Sequence, residues 1–264
     1  MIFELDDTSK AEGLFRGIED TSLISCLQKV MGKVYVTDTE APRSAMAVCG
    51  DFAFYGGEPS EELVSAKPKG FVVMVPNNKE WAELIEKRFP GVEKDVRFAT
   101  RKDTKFDREK LRAIADSLPE GYELKRIDGD IYDMCLENGL YMDGVAHFGS
   151  KERYLELGRG MVIMKDGRIA ASASSYSAYR GGIEIEIDTA EDERRKGLAS
   201  ALCASLILDC LDSGLYPSWD AANAESLHLA QKLGYEFARE YTCYYAESKF
   251  DSADEEREGE EERE

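Results

Sequence analysis

Over residues 183–188 the chain alternates without exception: Ile183, Ile185 and Ile187 stand against Glu184, Glu186 and Asp188. Successive side chains of a strand point to opposite faces, so this spacing predicts a strand with one apolar face for packing and one acidic face. Over 200–211 the pattern becomes apolar nearly all round, with Leu202, Leu206, Leu208 and Leu211 beside Ala201 and Ala204. That is the pattern of a helix laid against a sheet. Upstream, the strand-like stretches 160–164 and 168–174 bracket Lys165-Asp166-Gly167, whose Asp-Gly step predicts a hairpin turn. Residues 122–127 alternate as a further strand, and a helix is expected over 129–138.

The first part of the chain has its own alternation. Residues 32–37, 44–49 and 52–55 read as strands, with Gly50-Asp51 as the turn between the last two. The apolar run 71–75 reads as a buried strand. A helix over 79–89 places Trp81, Leu84, Ile85 and Phe89 on one face and stops at Pro90-Gly91. The polar, basic stretch 101–107 leads into a helix from 108 to 117 that Pro119 cannot continue. These breaks predict an N-terminal α/β domain over 1–117 and a second domain over 118–248. The remaining 249–264 read as a disordered acidic tail.

The run Arg194-Arg195-Lys196-Gly197-Leu198-Ala199 lies between the predicted strand and the apolar helix. A loop entering a helix presents backbone N–H groups without intrahelical partners, and the helix dipole adds partial positive charge there. Gly197 and Ala199 let the backbone approach a phosphate closely, and Arg194 and Arg195 supply charge-assisted hydrogen bonds. The segment therefore predicts a pyrophosphate cradle.

This cradle resembles the acetyl-CoA loop of the GNAT N-acetyltransferases, Arg/Gln-x-x-Gly-x-Gly/Ala, with Arg194, Gly197 and Ala199 at its specified positions. A second segment, from Trp219 through Asn223 to Leu233-Gly234-Tyr235, resembles the family's next strand and helix. The resemblance covers about 121 to 246, and the segment 50–59 also resembles part of a bacterial GNAT subfamily that includes zwittermicin A resistance-type proteins. It implies an α/β (α+β) fold with a mixed, mostly antiparallel sheet flanked by helices, preceded here by the smaller α/β domain. It also implies acetyl-CoA as cosubstrate. The expected cofactor-binding residues are Ile187 and Thr189 at the strand's end, then Arg194, Arg195, Lys196, Gly197, Leu198, Ala199 and Ser200, then Asn223 and Ser226. GNAT relatives are often dimers, and the extra N-terminal domain is expected to supply either an interface or one wall of the substrate cleft.

Acetyl transfer to an amine needs a base, and the acidic face of the 183–188 strand offers one. Glu186, nearer the loop, is the first candidate and Glu184 the second. Many GNAT enzymes carry a Tyr four residues before the Gly of Leu-Gly-Phe/Tyr, where this chain has Ala230. The proton donor is thus open between water, Ser226 and Tyr235. A GNAT-like protein that binds acyl-CoA without turnover is an alternative reading, as is a protein acetyltransferase.

The net charge of −19 is uneven, since residues 251–264 hold nine acids and two arginines and so carry −7 of it. Such a block repels itself and has nothing to bury. The acidic remainder argues against nucleic acid, whose phosphates need clustered Lys and Arg, and suits a small amine-bearing substrate. The six cysteines form no C-x-x-C pair and the two histidines, His147 and His228, lie far apart, so no metal site is signalled. The start of the chain lacks a signal-peptide pattern, and no long uncharged apolar stretch occurs, so no membrane partner and a cytoplasmic location are expected.

Overall fold

The computed structural model describes residues 1–251. The acidic tail expected over 249–264 therefore lies almost wholly outside the described residues. Its first three residues are placed: Ser248–Phe250 form one 3-10 turn, and the Asp251 carboxylate accepts from Lys67 Nζ at 2.5 Å and from the Gly70 N–H at 2.7 Å.

Two compact units emerge among the described residues, one of residues 1–97 and 240–251, the other of residues 98–239. The division expected at 117/118 differs from this. The Arg108–Ala115 helix packs against the Leu198–Asp212 helix, with Leu111 fully buried and Arg108 paired to Asp212, so it belongs with the second unit. At the other end, Tyr244–Ala246 pair with Val72–Met74, which returns the end of the chain to the first.

In the first unit Ser44–Cys49 and Phe52–Gly57 form the antiparallel hairpin predicted by the turn at Gly50, whose φ is +55°. Val72–Pro76 runs parallel to Phe52–Gly57, which requires a crossover, and the short Glu61–Ser65 helix lies within it. The Lys79–Arg88 helix is capped by Asn78 and buries Trp81 and Ile85 beside Tyr55, Leu63, Met74 and Tyr244. Trp81 Nε1 donates to the Gly57 carbonyl at 2.9 Å, so its polar atom is satisfied inside that core.

The second unit is built on a five-stranded sheet in the order Tyr216–Ser218, Gly182–Thr189, Arg168–Tyr179, Gly160–Lys165, Glu123–Arg126. Asp166 and Gly167 take φ of +49° and +78° at the predicted hairpin, the left-handed pair that matches strand twist. The Leu198–Asp212 helix covers one face of the sheet. The helices Gly129–Glu137, Asp143–Ala146 and Lys151–Leu157 cover the face bearing Ser172 and Ser174, where Ser174 Oγ donates to the Gly144 carbonyl at 2.6 Å. The pairing of Gly182–Thr189 with its antiparallel neighbour slips between Glu184 and Ile185, which face Ser177 and Ser175, so Tyr176 is the extra residue of a bulge. Its parallel pairing with Tyr216–Ser218 covers only Gly182–Glu184. Among the described residues no strand is paired with that edge beyond Glu184, and the strand leads on to the cradle loop.

Candidate active site

The loop takes the shape its residues permit. After Thr189 a 3-10 turn, Glu191–Glu193, precedes extended Arg194; Arg195 then adopts φ +62° and Gly197 φ +84° as the N-cap of the Leu198–Asp212 helix. A cap without a side chain leaves the helix's first N–H groups available. A Cβ built on Gly197 meets nothing within 4 Å, so its α-carbon faces open space. Arg194 Nε donates to the Thr189 carbonyl at 3.3 Å and ties the loop to the end of the strand.

Gly197 lines a cavity of about 570 Å³. Ile187, Asp188 and Thr189 line it from the strand, and Glu193, Arg194, Arg195, Gly197, Leu198, Ala199 and Ser200 from the loop and helix start. Asn223, Glu225, Ser226 and Leu229 close it from the Ala224–Leu233 helix, which Asn223 caps through Oδ1. All the cofactor residues expected from the sequence thus share one cavity except Lys196. Its ammonium turns back to Glu193, 2.8 Å away.

Glu193 is the buried anchor of the loop. With its side chain 2 % exposed, it meets Tyr122 OH at 2.5 Å, Lys196 at 2.8 Å, Arg168 at 3.2 Å and Lys165 at 3.5 Å. The Lys196 and Tyr122 hydrogen bonds, ahead of the neighbouring charges, hold its carboxyl down at about 2. Lys165, Arg168 and Lys196 thus gather around Glu193, with Asp192 as a second acid on Arg168, and Arg194 and Arg195 stand on the cavity wall. Arg194 and Arg195 are the cations on the cavity wall, where an anion can meet them.

Asp188 behaves in the opposite sense. Burial, then the negative charge of Asp143, raise its carboxyl from 3.8 to about 6, against the pull of Arg194. Asp188 lies on the acidic strand face with Glu184 and Glu186 but is not among the base candidates the sequence offers; its raised pKa comes first from burial and then from Asp143, 45 residues away and without any local signal. Neither Glu184 nor Glu186 lines the cavity. Glu184 is 6 % exposed, sits at the last parallel pair opposite Ser218, and has Lys102 Nζ at 4.0 Å. Glu186 is half-buried opposite Ser174. Of the proton-donor options, Tyr235 is fully enclosed with its hydroxyl donating to the Pro217 carbonyl at 2.5 Å, and Ala230 is buried. Ser226 lies on the cavity wall.

The strand thus ends at a glycine-capped helix with Arg194 and Arg195 on the loop between them, an arrangement that can hold an anion. The GNAT acetyltransferase family matches the chain over residues 12–244, and the chain belongs to that family. The match takes in most of the N-terminal segment, where the sequence resemblance reached only residues 50–59. The chain is 42 % identical to a GCN5-related N-acetyltransferase-like protein from Streptococcus suis 89/1591, with a TM-score of 0.87 over 91 % of this chain and 99 % of that one. It is 25 % identical over 237 residues to the uncharacterized N-acetyltransferase YdfB of Bacillus subtilis strain 168, covering 83 % of this chain and 87 % of that one. A tandem GNAT protein from the clavulanic acid biosynthesis pathway shares the fold, at 11 % identity and a TM-score of 0.57 over 94 % of this chain and 98 % of that one. With its family, the chain is an N-acetyltransferase, and the family's cosubstrate is acetyl-CoA. Among the described residues no helix is long and apolar enough to cross a membrane.

Proposed function

We propose that the chain moves the acetyl group of acetyl-CoA onto a small amine-bearing compound, with acetyl-CoA seated in the 570 Å³ cavity. The observation that carries this reading is the Gly197 cap: a left-handed glycine whose α-carbon faces the cavity, flanked by Arg194 and Arg195 and followed by unpaired helical N–H groups. Bound there, acetyl-CoA supplies an activated thioester carbonyl. Arg194, Arg195 and the N–H groups of the first helical turn hold the phosphates, and Asn223 and Ser226 orient the arm that follows. The carboxylate pair Glu184 and Glu186 takes the proton from the amine, directly or through water. Glu184, buried at the point where the parallel pairing ends, is as well placed for this as Glu186.

The test is a calorimetric titration with acetyl-CoA, followed by a panel of small amines scored for release of free thiol. Saturable binding with amine-dependent thiol release supports the proposal. Binding without turnover on any amine points to a module that only holds acyl-CoA, and thiol release confined to basic peptides points to a protein substrate.

A further inference from the structure

Two hydroxyls on the cavity wall are each held from behind by a group that can only donate. Ser226 Oγ accepts from the indole Nε1–H of Trp219 at 3.0 Å, and Ser200 Oγ accepts from the Lys232 ammonium at 2.9 Å. An indole N–H and an ammonium have no acceptor capacity, so the direction of both bonds follows from chemistry alone. Each hydroxyl keeps one proton to give away. Among the described residues no protein acceptor takes either proton, whereas Ser205 on the same helix as Ser200 donates to the Ala201 carbonyl at 2.8 Å. Asn223 obeys the same logic: its Oδ1 accepts the Ser226 N–H at 2.9 Å, which fixes the amide orientation and leaves its NH₂ as a donor.

We propose that Lys232 and Trp219 are positioning residues that commit Ser200 and Ser226 to donate into the cavity, so that it selects a ligand with acceptors at both ends. Ser200, in the first turn of the Leu198–Asp212 helix, meets the phosphates. Ser226, beside Asn223, meets the carbonyl or sulfur acceptors of the arm. With Ala230 in place of the family's Tyr and Tyr235 spent on Pro217, Ser226 is the hydroxyl on this helix with a proton still to give. The proposal rests on the reading of the cavity as the acetyl-CoA site.

The experiment is a pair of double-mutant cycles on the full chain, read by calorimetry with acetyl-CoA and with its nucleotide half, adenosine 3′-phosphate 5′-diphosphate. Lys232 is exposed, so Lys232→Met leaves the fold intact. Lys232→Met and Ser200→Ala should each weaken acetyl-CoA about tenfold, as for one charge-assisted hydrogen bond, with the double variant no weaker than Ser200→Ala and Lys232→Arg restoring affinity. Ser226→Ala should weaken acetyl-CoA by a similar factor yet leave the nucleotide half unaffected, and Trp219→Phe should add nothing in the Ser226→Ala background. Because Trp219 is buried, its variant is first checked for native circular dichroism, and if it does not fold the Lys232 cycle decides. Additive losses in that cycle, or failure of Arg to rescue, overturn the proposal by showing that Lys232 acts on the ligand as a distant charge. Wild-type protein that binds neither probe would instead refute the acetyl-CoA reading itself.

Discussion

Replacing Asp188 by Asn tests the electrostatics of the cavity wall. In the folded protein the Asp188 carboxyl titrates at about 6, against 3.8 for an ordinary aspartate, because burial and Asp143 disfavour its charge. Between those values the folded state binds more protons than the unfolded chain, so stability falls as pH rises through that window. At about 1.4 kcal/mol per pH unit, the charged side chain costs the folded state up to about 3 kcal/mol at neutral pH and nothing below about pH 4. Asp188→Asn should therefore be more stable than wild type in urea unfolding at about pH 7.5, with the advantage vanishing by about pH 4. Ionised Asp188 also repels phosphate, so acetyl-CoA affinity should decline above pH 6 in wild type and stay level in the variant. An advantage that is the same at both pH values, or no difference at either, would refute the assignment of a raised pKa to this residue.

Glu193 carries the opposite sign. Its carboxyl is held down at about 2 against the ordinary 4.5, so its contribution is fully present above pH 4.5 and is lost as pH falls towards 2; Glu193→Gln should remove that acid-sensitive part of an unfolding profile. Glu184→Gln and Glu186→Gln keep shape and remove a base: in the variant that loses the catalytic carboxylate, kcat should fall about 10²-fold with acetyl-CoA affinity unchanged, and wild-type rates in both would pass the role to Asp188 or water. Arg195 holds a left-handed backbone that costs a non-glycine residue about 1 kcal/mol, so Arg195→Gly should leave the melting midpoint within a few degrees while weakening acetyl-CoA and flattening its salt dependence.

The cavity was legible because its parts are local. A strand with alternating isoleucines, a glycine at a helix start and an asparagine cap each announce themselves within a few residues, and the structure brings Ile187, Gly197 and Asn223 to one wall. Lys196 shows the limit of local patterns. Its place in the motif puts it among the cofactor residues, but its ammonium pairs with Glu193, itself held by Tyr122, Lys165 and Arg168, which lie well upstream and which no spacing betrays. The raised pKa of Asp188 likewise comes from burial and then from Asp143, neither of which has a local signal. The boundary after 117 followed the loop at Pro119, whereas packing of Leu111 and the return of Tyr244–Ala246 to Val72–Met74 decide which residues share a core. The parallel strand Tyr216–Ser218 has only three residues, too few for a periodic signal.

The most direct test of the cradle is a calorimetric titration of acetyl-CoA into wild type and into folded Gly197→Glu. Gly197 lines the cavity, any side chain there is strained at φ +84°, and a glutamate adds like charge where phosphate is to sit. The account predicts saturable binding by wild type and a loss of about 2 kcal/mol or more, roughly 30-fold, in the variant. Equal affinity in the two folded proteins would contradict it.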